Sequence, residues 1–315
     1  MSQVPADRLE ISPAAADVRA DVLRVVFAHL AREDRASQVA DLLKSVERDP
    51  RALDGLLTVS LDGRFLGAGL AQMQPGRSAV IWPPPELKTP HAAADALLEA
   101  LVQFSERNGA IIAQSLLAED QPGEEMLIRG EFRHISDLAF LFASTERATA
   151  DGVAAELEFA TYSDEHHQRM AAVIERSYVD TLDCPAMNDV RGVEDVLTGY
   201  RATGEYSPDR WLIARSQGRD VGCLLLADHP AAGQWELVYM GLTPEARGMG
   251  FGAELARRAL WMARQAGRQR MVVAVDLANR PALRVYQDAG FVEWTTRRVF
   301  LKRLVQESGR RPEAR

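Results

Sequence analysis

The sequence of 315 residues has few cysteines, no long apolar run and no excess of basic charge. Its two cysteines, Cys184 and Cys223, are too few for the disulfide framework of a secreted scaffold and suit a reducing compartment. No stretch of about 18 apolar residues occurs, so a membrane-spanning helix is not expected. The formal net charge of −8 argues against a nucleic acid or an anionic membrane surface as the partner.

The opening residues, MSQVPADRLEIS, also lack a basic segment followed by an apolar run. We therefore expect no secretory leader and a cytoplasmic protein. What the chain does have is an apolar fraction of 47%, which argues against global disorder. Its length suits two ordinary domains.

The two halves of the chain show the same order of predicted elements. Two strands around a glycine-containing turn occur at residues 56–73 and again at 211–229. In each half there follow a strand, a helix that ends at a glycine, an apolar strand, a turn ending in Gly-Glu-Phe or Ala-Gly-Phe, and a last strand. Matching positions are separated by nearly constant distances: Gly67 and Gly222 are 155 residues apart, Gly109 and Gly267 are 158 apart, and Phe132 and Phe291 are 159 apart.

This offset predicts a duplicated α+β unit. We place the two domains at residues 1–145 and 155–306. The polar segment 144–152, STERATADG, is the expected linker. The charged tail, residues 306–315, is expected to be frayed.

Three alternating glycines, Gly248, Gly250 and Gly252, precede a helix-like segment. The apolar face of that segment recurs at helical spacing and consists of Phe251, Leu255, Ala259, Met262 and Ala266. The glycines therefore lie at a helix N-terminus, where backbone N–H groups are free and the helix dipole is positive. Without side chains, this backbone can close around an anion, and Arg247 adds a positive charge. The pattern predicts a cradle for a diphosphate.

Two other interpretations of the glycines are weaker. A strand-to-helix turn without a ligand does not need three alternating glycines and a flanking arginine. The dinucleotide fingerprint G-x-G-x-x-A is met by Gly248, Gly250 and Ala253, but its context is missing. Residues 268–273, RQRMVV, hold no acidic residue, and too little chain remains for a large parallel sheet.

The stretch RGMGFG, residues 247–252, resembles the R/Q-x-x-G-x-G/A acetyl-CoA loop of the GNAT acyltransferases. The later stretch NRPALRVYQDAGF, residues 279–291, resembles the Asn and Tyr that precede a Gly-Phe in that family. The resemblance covers residues 157–304, and the N-terminal half matches only in element order. It implies two tandem GNAT-like domains, each a mixed, mostly antiparallel sheet flanked by helices. On this interpretation the first copy is degenerate, an arrangement similar to that of the mycothiol synthase subfamily. The chain departs from that subfamily at Ala274, where an acceptor-side tyrosine is expected.

The resemblance implies that acetyl-CoA is the acyl donor and that no metal takes part. The implied reaction is direct transfer of the acetyl group to a primary amine of a small molecule or a peptide. The residues it places at the cofactor are Met240, Gly241, Leu242, Arg247, Gly248, Met249, Gly250, Phe251, Gly252, Ala253, Asn279 and Tyr286. A CoA-binding regulatory or scaffold protein without turnover is the alternative, and the oligomeric state stays open.

Two residues are the catalytic candidates. Glu236 lies on the strand before the glycines and is the predicted base, since an ammonium must lose a proton before it attacks. Tyr286 is the implied proton donor to the CoA sulfur. Simpler roles stay open: a solvent-facing carboxylate for Glu236, a core tyrosine for Tyr286 and a helix N-cap for Asn279. By strict strand alternation, Glu236 shares a face with Val238 and Met240, and Tyr239 faces away, unless a bulge near Gly241 intervenes.

The first half of the chain lacks these residues. A shift of 159 positions carries Glu236 to Arg77, Asn279 to Asp120 and Tyr286 to Leu127, and it turns the glycine loop into LKTPHAAAD. We expect the first half to keep the fold without the chemistry.

The acceptor site is predicted in the segment 178–197, where Asp183 is the candidate to hold an ammonium. Ordinary loop chemistry explains Asp183 at least as well. A covalent route through Cys184 is disfavoured, because no histidine in the sequence is tied to it. Adjacent His166 and His167 point about 100° apart on a helix, so a metal site is not expected there.

Overall fold

A computed structural model of the chain describes residues 8–85, 89–148 and 157–304. The chain divides into two compact units. One contains the residues up to 135 and those from 298 onward, and the other contains residues 136–297. Within the described ranges, none of the helices has the length and hydrophobicity needed to cross a bilayer.

The first unit is built around a sheet with the strand order β1-β2-β3-β4-β5, followed by the end of β12. The strands pair antiparallel except β4 and β5, which pair parallel over three residues. Its elements are β1 (Leu9–Pro13), α1 (Arg19–Val26), α2 (Arg32–Arg48), β2 (Leu56–Leu61), β3 (Arg64–Gln74), β4 (Ser78–Trp82), α3 (His91–Arg107), β5 (Ile112–Ala118), α4 (Glu124–Arg129) and the first residues of β6 (Arg133–Ser144).

The second unit repeats this order of elements. Its sheet runs β6-β11-β10-β9-β8-β7, and only β10 and β11 pair parallel. The start of β12 lies beside β6. Its elements are β7 (Glu158–Thr161), α5 (His167–Tyr178), α6 (Val193–Arg201), β8 (Trp211–Ser216), β9 (Arg219–His229), β10 (Gln234–Leu242), α7 (Phe251–Gln265), β11 (Arg270–Asp276), α8 (Arg280–Asp288) and β12 (Val292–Arg303).

The two faces of the second sheet carry separate cores. Helix α7 covers one face with Phe251, Leu255 and Ala259, as the helical spacing predicts. Ala266 is exposed at the helix end, and Ala263 is buried instead. Helices α5 and α6 cover the other face over β8 and β9. This arrangement leaves the C-terminal parts of β10 and β11 to form the candidate site.

The last strand of each half begins in its own unit and ends in the other. Phe300, in β12, is fully buried in the core of the first unit. The backbone N–H of Leu304 donates to the Ile111 carbonyl at 2.9 Å. In the other direction, Leu141 of β6 is buried in the core of the second unit and pairs with Val273 of β11.

The predicted domain ranges follow chain order and do not include this exchange. Of the predicted linker 144–152, residues 149–152 lie outside the described residues. The tail 306–315 also lies outside them.

We expect Phe300→Ala to destabilise the first unit by about 3–5 kcal/mol, because it removes a fully buried aromatic side chain. Trp294→Ala is the matched control, since this aromatic side chain of the same strand is 48% exposed. Hydrogen exchange of the α3 amides under mild denaturant is the measurement. Equal protection of α3 in both variants would contradict the exchange of strands.

Candidate active site

A short parallel pairing between β10 and β11 shapes the site. The two strands pair at Gln234 with Arg270, Trp235 with Met271 and Glu236 with Val272, and the register ends there. Just beyond, the pairing of β10 with β9 shifts between Leu237 and Tyr239, which makes Val238 a bulged residue. The two strands therefore part after Glu236, and a cleft of about 540 Å³ lies between them.

The bulge also decides which side chains of β10 face which core. Leu237 packs into the core under α7, and so does Met240, three positions later. Val238 and Tyr239 both pack on the opposite face, beside α5. The expectation of strict alternation is therefore wrong, because one extra residue at Val238 inverts the parity of the rest of the strand.

The glycine loop closes one end of the cleft. Gly248 and Gly250 have φ values of 78° and 84°, a region that side chains other than glycine rarely adopt. A Cβ atom on either would meet nothing within 4 Å, so packing does not explain these glycines. In the described part of the chain, the backbone N–H groups of residues 248–252 have no backbone acceptor. Open space, free donors and the N-terminus of α7 fit the diphosphate of a CoA molecule.

Most of the predicted site residues meet in this one cleft. Those that line it are Asp183, Met240, Gly241, Leu242, Arg247, Gly248, Gly250, Gly252, Ala253, Asn279 and Tyr286. Two predicted cofactor residues are not part of the lining. Met249 points outward with 57% of its surface exposed, and the side chain of Phe251 is buried in the core. These two residues can offer only backbone groups to a ligand.

Arg247 and Asn279 each hold a backbone segment at the edge of the cleft. The Arg247 guanidinium donates to the carbonyl oxygens of Ser177 at 2.9 Å and Asp180 at 3.1 Å. It thereby ties the glycine loop to the end of α5. The Asn279 side-chain oxygen accepts from the Ala282 N–H at 3.3 Å and caps α8. The N-cap role is thus real, and Asn279 also lines the cleft.

The phenol of Tyr286 lies in the wall of the cleft. Its side chain is buried, and its ring packs against Phe291 with centroids 5.4 Å apart. Among the described residues, no protein group forms a hydrogen bond with its hydroxyl. Burial raises the pKa of Tyr286, and the negative charge of Asp183 raises it further. The phenol therefore stays protonated at neutral pH and can donate a proton or a hydrogen bond.

Asp183 is locked to the end of β11 by a pair of reciprocal contacts. Its carboxylate accepts from the Asp276 N–H at 3.2 Å, and the Asp276 carboxylate accepts from the Cys184 N–H at 3.0 Å. Burial raises the pKa of Asp183. Asp276 was missed by sequence reasoning, although a carboxylate that ends the apolar strand MVVAVD is a signal that it must find partners.

A second cavity, of about 730 Å³, lies on the other side of Asp183. It shares Asp180, Asp183 and Tyr239 with the cleft. Its wall includes Tyr200, whose ring stacks on Tyr239 with centroids 5.4 Å apart. Cys184 also lines it, but burial raises the pKa of this thiol to about 12, which leaves it unreactive at neutral pH.

Glu236 lies at the point where the two strands part. Its carboxylate accepts a hydrogen bond from His229 Nε2 at 2.9 Å, and one third of its side chain is exposed. It does not line either cavity directly. His229 was missed by sequence reasoning, since nothing in its local pattern pointed to Glu236.

The remaining histidine prediction concerns His166 and His167. His167 contacts Glu194 at 3.0 Å and Tyr162, whereas His166 bonds to the Thr161 carbonyl. The two rings thus have separate partners. Within the described ranges, no group of three or more His, Cys, Asp or Glu side chains is arranged to hold a metal ion.

Residues 177–291 match the acetyltransferase (GNAT) family. Two curated relatives are mycothiol acetyltransferases: one from Paenarthrobacter aurescens is 30% identical over 105 residues, and one from Thermomonospora curvata is 33% identical over 98. The matched parts cover 32% and 31% of this chain. They span 32% and 33%, about a third, of those relatives.

Solved structures resemble the chain over nearly its whole length. A GCN5-related N-acetyltransferase from Sphaerobacter thermophilus superimposes with a TM-score of 0.64 and 16% identity, covering 96% of this chain and 97% of that one. A tandem GNAT protein from the clavulanic acid biosynthesis pathway superimposes with a TM-score of 0.53 and 15% sequence identity. The superposition covers 94% of this chain and 99% of that one. At these identities the likeness concerns the fold, which is the mixed α/β fold of GNAT proteins.

We expect Gly250→Asp to weaken CoA binding at least about tenfold, or 1.4 kcal/mol, since it places a side chain and a negative charge at the predicted diphosphate position. Gly267→Asp is the matched control, because Gly267 also has a positive φ, of 72°, and open space around it, at the other end of α7. Backbone strain of about 1–2 kcal/mol should be common to both. Calorimetry of CoA binding is the measurement, and equal affinities for the two variants would refute the cradle.

Proposed function

We propose that the second unit is an N-acetyltransferase that moves the acetyl group of acetyl-CoA directly to a primary amine of a small molecule or a peptide. The observation that carries the proposal is the cleft itself. It has free backbone donors at the glycine loop, and Tyr286 lies in its wall. Glu236 lies at the apex where β10 and β11 part.

The cofactor would lie along β10. Beyond Glu236, this strand pairs with β9 on one edge and is open toward the cleft on the other. An open strand edge offers backbone N–H and C=O groups, which an extended ligand with amides can pair with as an added strand does. The two amides of pantetheine suit this edge near Met240 and Leu242. With the diphosphate at residues 248–252, the thioester then points toward Glu236.

The chemistry needs a base and an acid. The acceptor ammonium, with an ordinary pKa near 10.4, must lose a proton before its nitrogen can attack the thioester carbon. Glu236 takes this proton, either directly or through a water molecule. As the C–S bond breaks, Tyr286 gives its proton to the leaving sulfur, and the second proton that the nitrogen loses on forming the amide restores the phenol. Its raised pKa favours the protonated phenol that this role requires.

The acceptor would enter from the second cavity, which meets the cleft at Asp183 and Tyr239. Asp183 offers a carboxylate at that junction. Ala274 is exposed and lines the cleft, so its small side chain leaves room beside the thioester. The acceptor is therefore expected to differ in shape from one that needs a tyrosine at this position.

We also infer that the two units are tandem GNAT-like copies and that the first is degenerate. Two turn hydrogen bonds recur in both. The Phe132 N–H donates to the Leu127 carbonyl at 2.9 Å, and the Phe291 N–H donates to that of Tyr286 at 2.9 Å. Likewise Ala110 donates to Ser105 at 3.0 Å, and Arg268 donates to Ala263 at 2.9 Å. These bonds support Leu127 as the counterpart of Tyr286.

Strand pairing gives the counterpart of Glu236. Glu236 is the third residue of the parallel pairing between β10 and β11, and Val80 is the third in that between β4 and β5. The constant shift of 159 had pointed to Arg77 and is wrong here, because the offset between the copies varies along the chain. With Val80 and Leu127 at these positions, the first unit lacks both the base and the acid.

Glu236→Gln keeps the shape of the side chain but cannot accept a proton. We expect turnover to fall by about 10²-fold or more near neutral pH. Higher pH should restore part of the rate, because more of the acceptor amine is then neutral. The measurement is a pH–rate profile with one confirmed amine. Glu194→Gln is a matched control, since Glu194 also contacts a histidine, away from the cleft.

Tyr286→Phe removes only the phenolic proton. We expect a smaller loss, at or below the low end of the range of about 10²–10⁴ for acid–base groups, because a thiol with a pKa of about 8.5 is a tolerable leaving group. High pH should not rescue this defect. Wild-type turnover of Glu236→Gln at pH 7 would exclude Glu236 as the base. CoA binding without release of CoA from acetyl-CoA, over a panel of amines, would instead indicate a CoA-binding scaffold.

CoA should protect residues 242–253 from hydrogen exchange and leave residues 83–95 unchanged, because only the second unit has the glycine loop. Residues 86–88 of that stretch lie outside the described residues. Exchange followed by mass spectrometry with and without CoA is the measurement. Equal protection in both stretches, with two CoA molecules bound per chain, would show that the first unit is not degenerate.

A further inference from the structure

In the part of the chain that the structure describes, the Glu236 carboxylate has one side-chain partner, the imidazole of His229. Nε2 of His229 lies 2.9 Å from Oε2 of Glu236. The two residues stand on neighbouring antiparallel strands, where Glu236 pairs with Ala227, two residues before His229. Both side chains therefore project from the same face of the sheet. About 30% of the His229 side chain is exposed, so the ring connects Glu236 with solvent.

The ring of His229 is held in place by backbone on its other side. A Cβ atom added to Gly204 would lie 3.0 Å from both Cε1 and Nε2 of His229. Gly204 has a φ of 57°, and the next residue, Glu205, forms a bridge with Asp228 through hydrogen bonds of 2.7 and 3.2 Å. The imidazole thus packs against a fixed segment after α6, and its orientation toward Glu236 is built into the fold.

Negative charge surrounds this imidazole. The hydrogen bond with Glu236 raises the pKa of His229 and outweighs the opposite effect of burial, and Asp228 adds to the rise. Asp228 is itself paired with two guanidinium groups. The elements around the ring carry five charged groups. They are Glu236 on β10, Asp228 on β9, Glu205 after α6, Arg210 before β8 and Arg268 before β11.

We propose that His229 is a positioning residue that also relays the reaction's proton: the proton that Glu236 takes from the acceptor amine passes to His229 and from there to solvent. The proposal rests on the proposed acetyl transfer. The amine nitrogen loses a proton to a Glu236 oxygen. Neutral His229 carries its ring hydrogen on Nδ1 at this step, so Nε2 has a free lone pair, and the O–H bond of the Glu236 carboxyl breaks as an N–H bond forms at Nε2. Glu236 is again a carboxylate, His229 is an imidazolium, and loss of the Nε2 proton to water restores the pair.

The direction of this transfer follows from ordinary acidities. An imidazole, with a reference pKa of about 6.5, holds a proton more tightly than a glutamate carboxylate, at about 4.3. The relay therefore returns Glu236 to the ionised form after each turnover. A simpler role is that His229 only holds the carboxylate in place by a hydrogen bond. The two roles differ in whether the side chain at this position must accept a proton.

Two substitutions separate these roles. In His229→Gln, the amide N–H can still donate to Glu236 but cannot accept a proton, whereas His229→Ala removes both functions. We expect both variants to keep the KM for acetyl-CoA and to lose kcat by similar factors, about tenfold or more at neutral pH. In both variants, the pH–rate profile should lack the change in rate that reflects titration of the Glu236–His229 pair. Wild-type kcat and an unchanged pH profile in His229→Gln would overturn the relay.

His167→Gln is the matched control. His167 also contacts a glutamate, Glu194, at 3.0 Å, but neither residue lines the cleft or the second cavity. This variant should keep the wild-type kcat and pH profile. If its kcat falls as far as that of His229→Gln, the fall in kcat reflects general damage to the unit, and the relay is overturned.

An NMR titration of the histidine ring signals tests the pair without any activity. The signal that disappears in His229→Gln is assigned to His229. Its pKa should lie above 6.5 in the wild-type protein and shift down in Glu236→Gln. An unshifted titration in Glu236→Gln overturns the proposal even when acetyl transfer is established. Conversely, a wild-type protein that acetylates no amine contradicts the proposed function, whatever the titration shows.

Discussion

The candidate site depends on the parting of β10 and β11 after Glu236. Two parallel strands that stayed paired would close the sheet and leave no cleft. One extra residue at Val238 bends β10 and ends the pairing. The same residue inverts the parity of the strand, so that Met240 packs under α7 while Tyr239 faces α5 and the second cavity. A single bulge thus creates the cleft and also places Tyr239 in the wall of the cavity beside it.

The loops around the cleft are tied to regular elements. Arg247 connects the glycine loop to the end of α5, and Asp276 holds the segment at Cys184 against the end of β11. Asp276 is buried and Arg247 is exposed, and each satisfies backbone groups of a neighbouring segment. Their consequence is that the loops are positioned before any ligand arrives. Catalysis by orientation requires such a site, because displacements of about 1 Å are costly.

Local signals were sufficient for part of this site. Gly248, Gly250 and the N-cap Asn279 follow from backbone conformation and helix ends, which depend on a few adjacent residues. The contact of His229 with Glu236 depends on the register of β9 against β10, and the bulge at Val238 depends on both neighbouring strands. No local sequence pattern predicts the exchange of β6 and β12 between the units. For the same reason, a constant shift between the halves could not locate Val80, which we propose as the counterpart of Glu236.

The first unit differs from the second in its backbone as well as in its side chains. Strand β4 has five residues against nine in β10, and three prolines, Pro83 to Pro85, follow it directly. Proline has no N–H, so this segment cannot present the row of donors that an extended amide ligand would use. Leu127 is fully buried in the core of the first unit, and Val80 is half-buried and also apolar, so neither side chain needs a polar partner. On the proposed tandem arrangement, the first unit therefore keeps a core contact at Leu127 while it lacks the polar groups that the proposed chemistry needs.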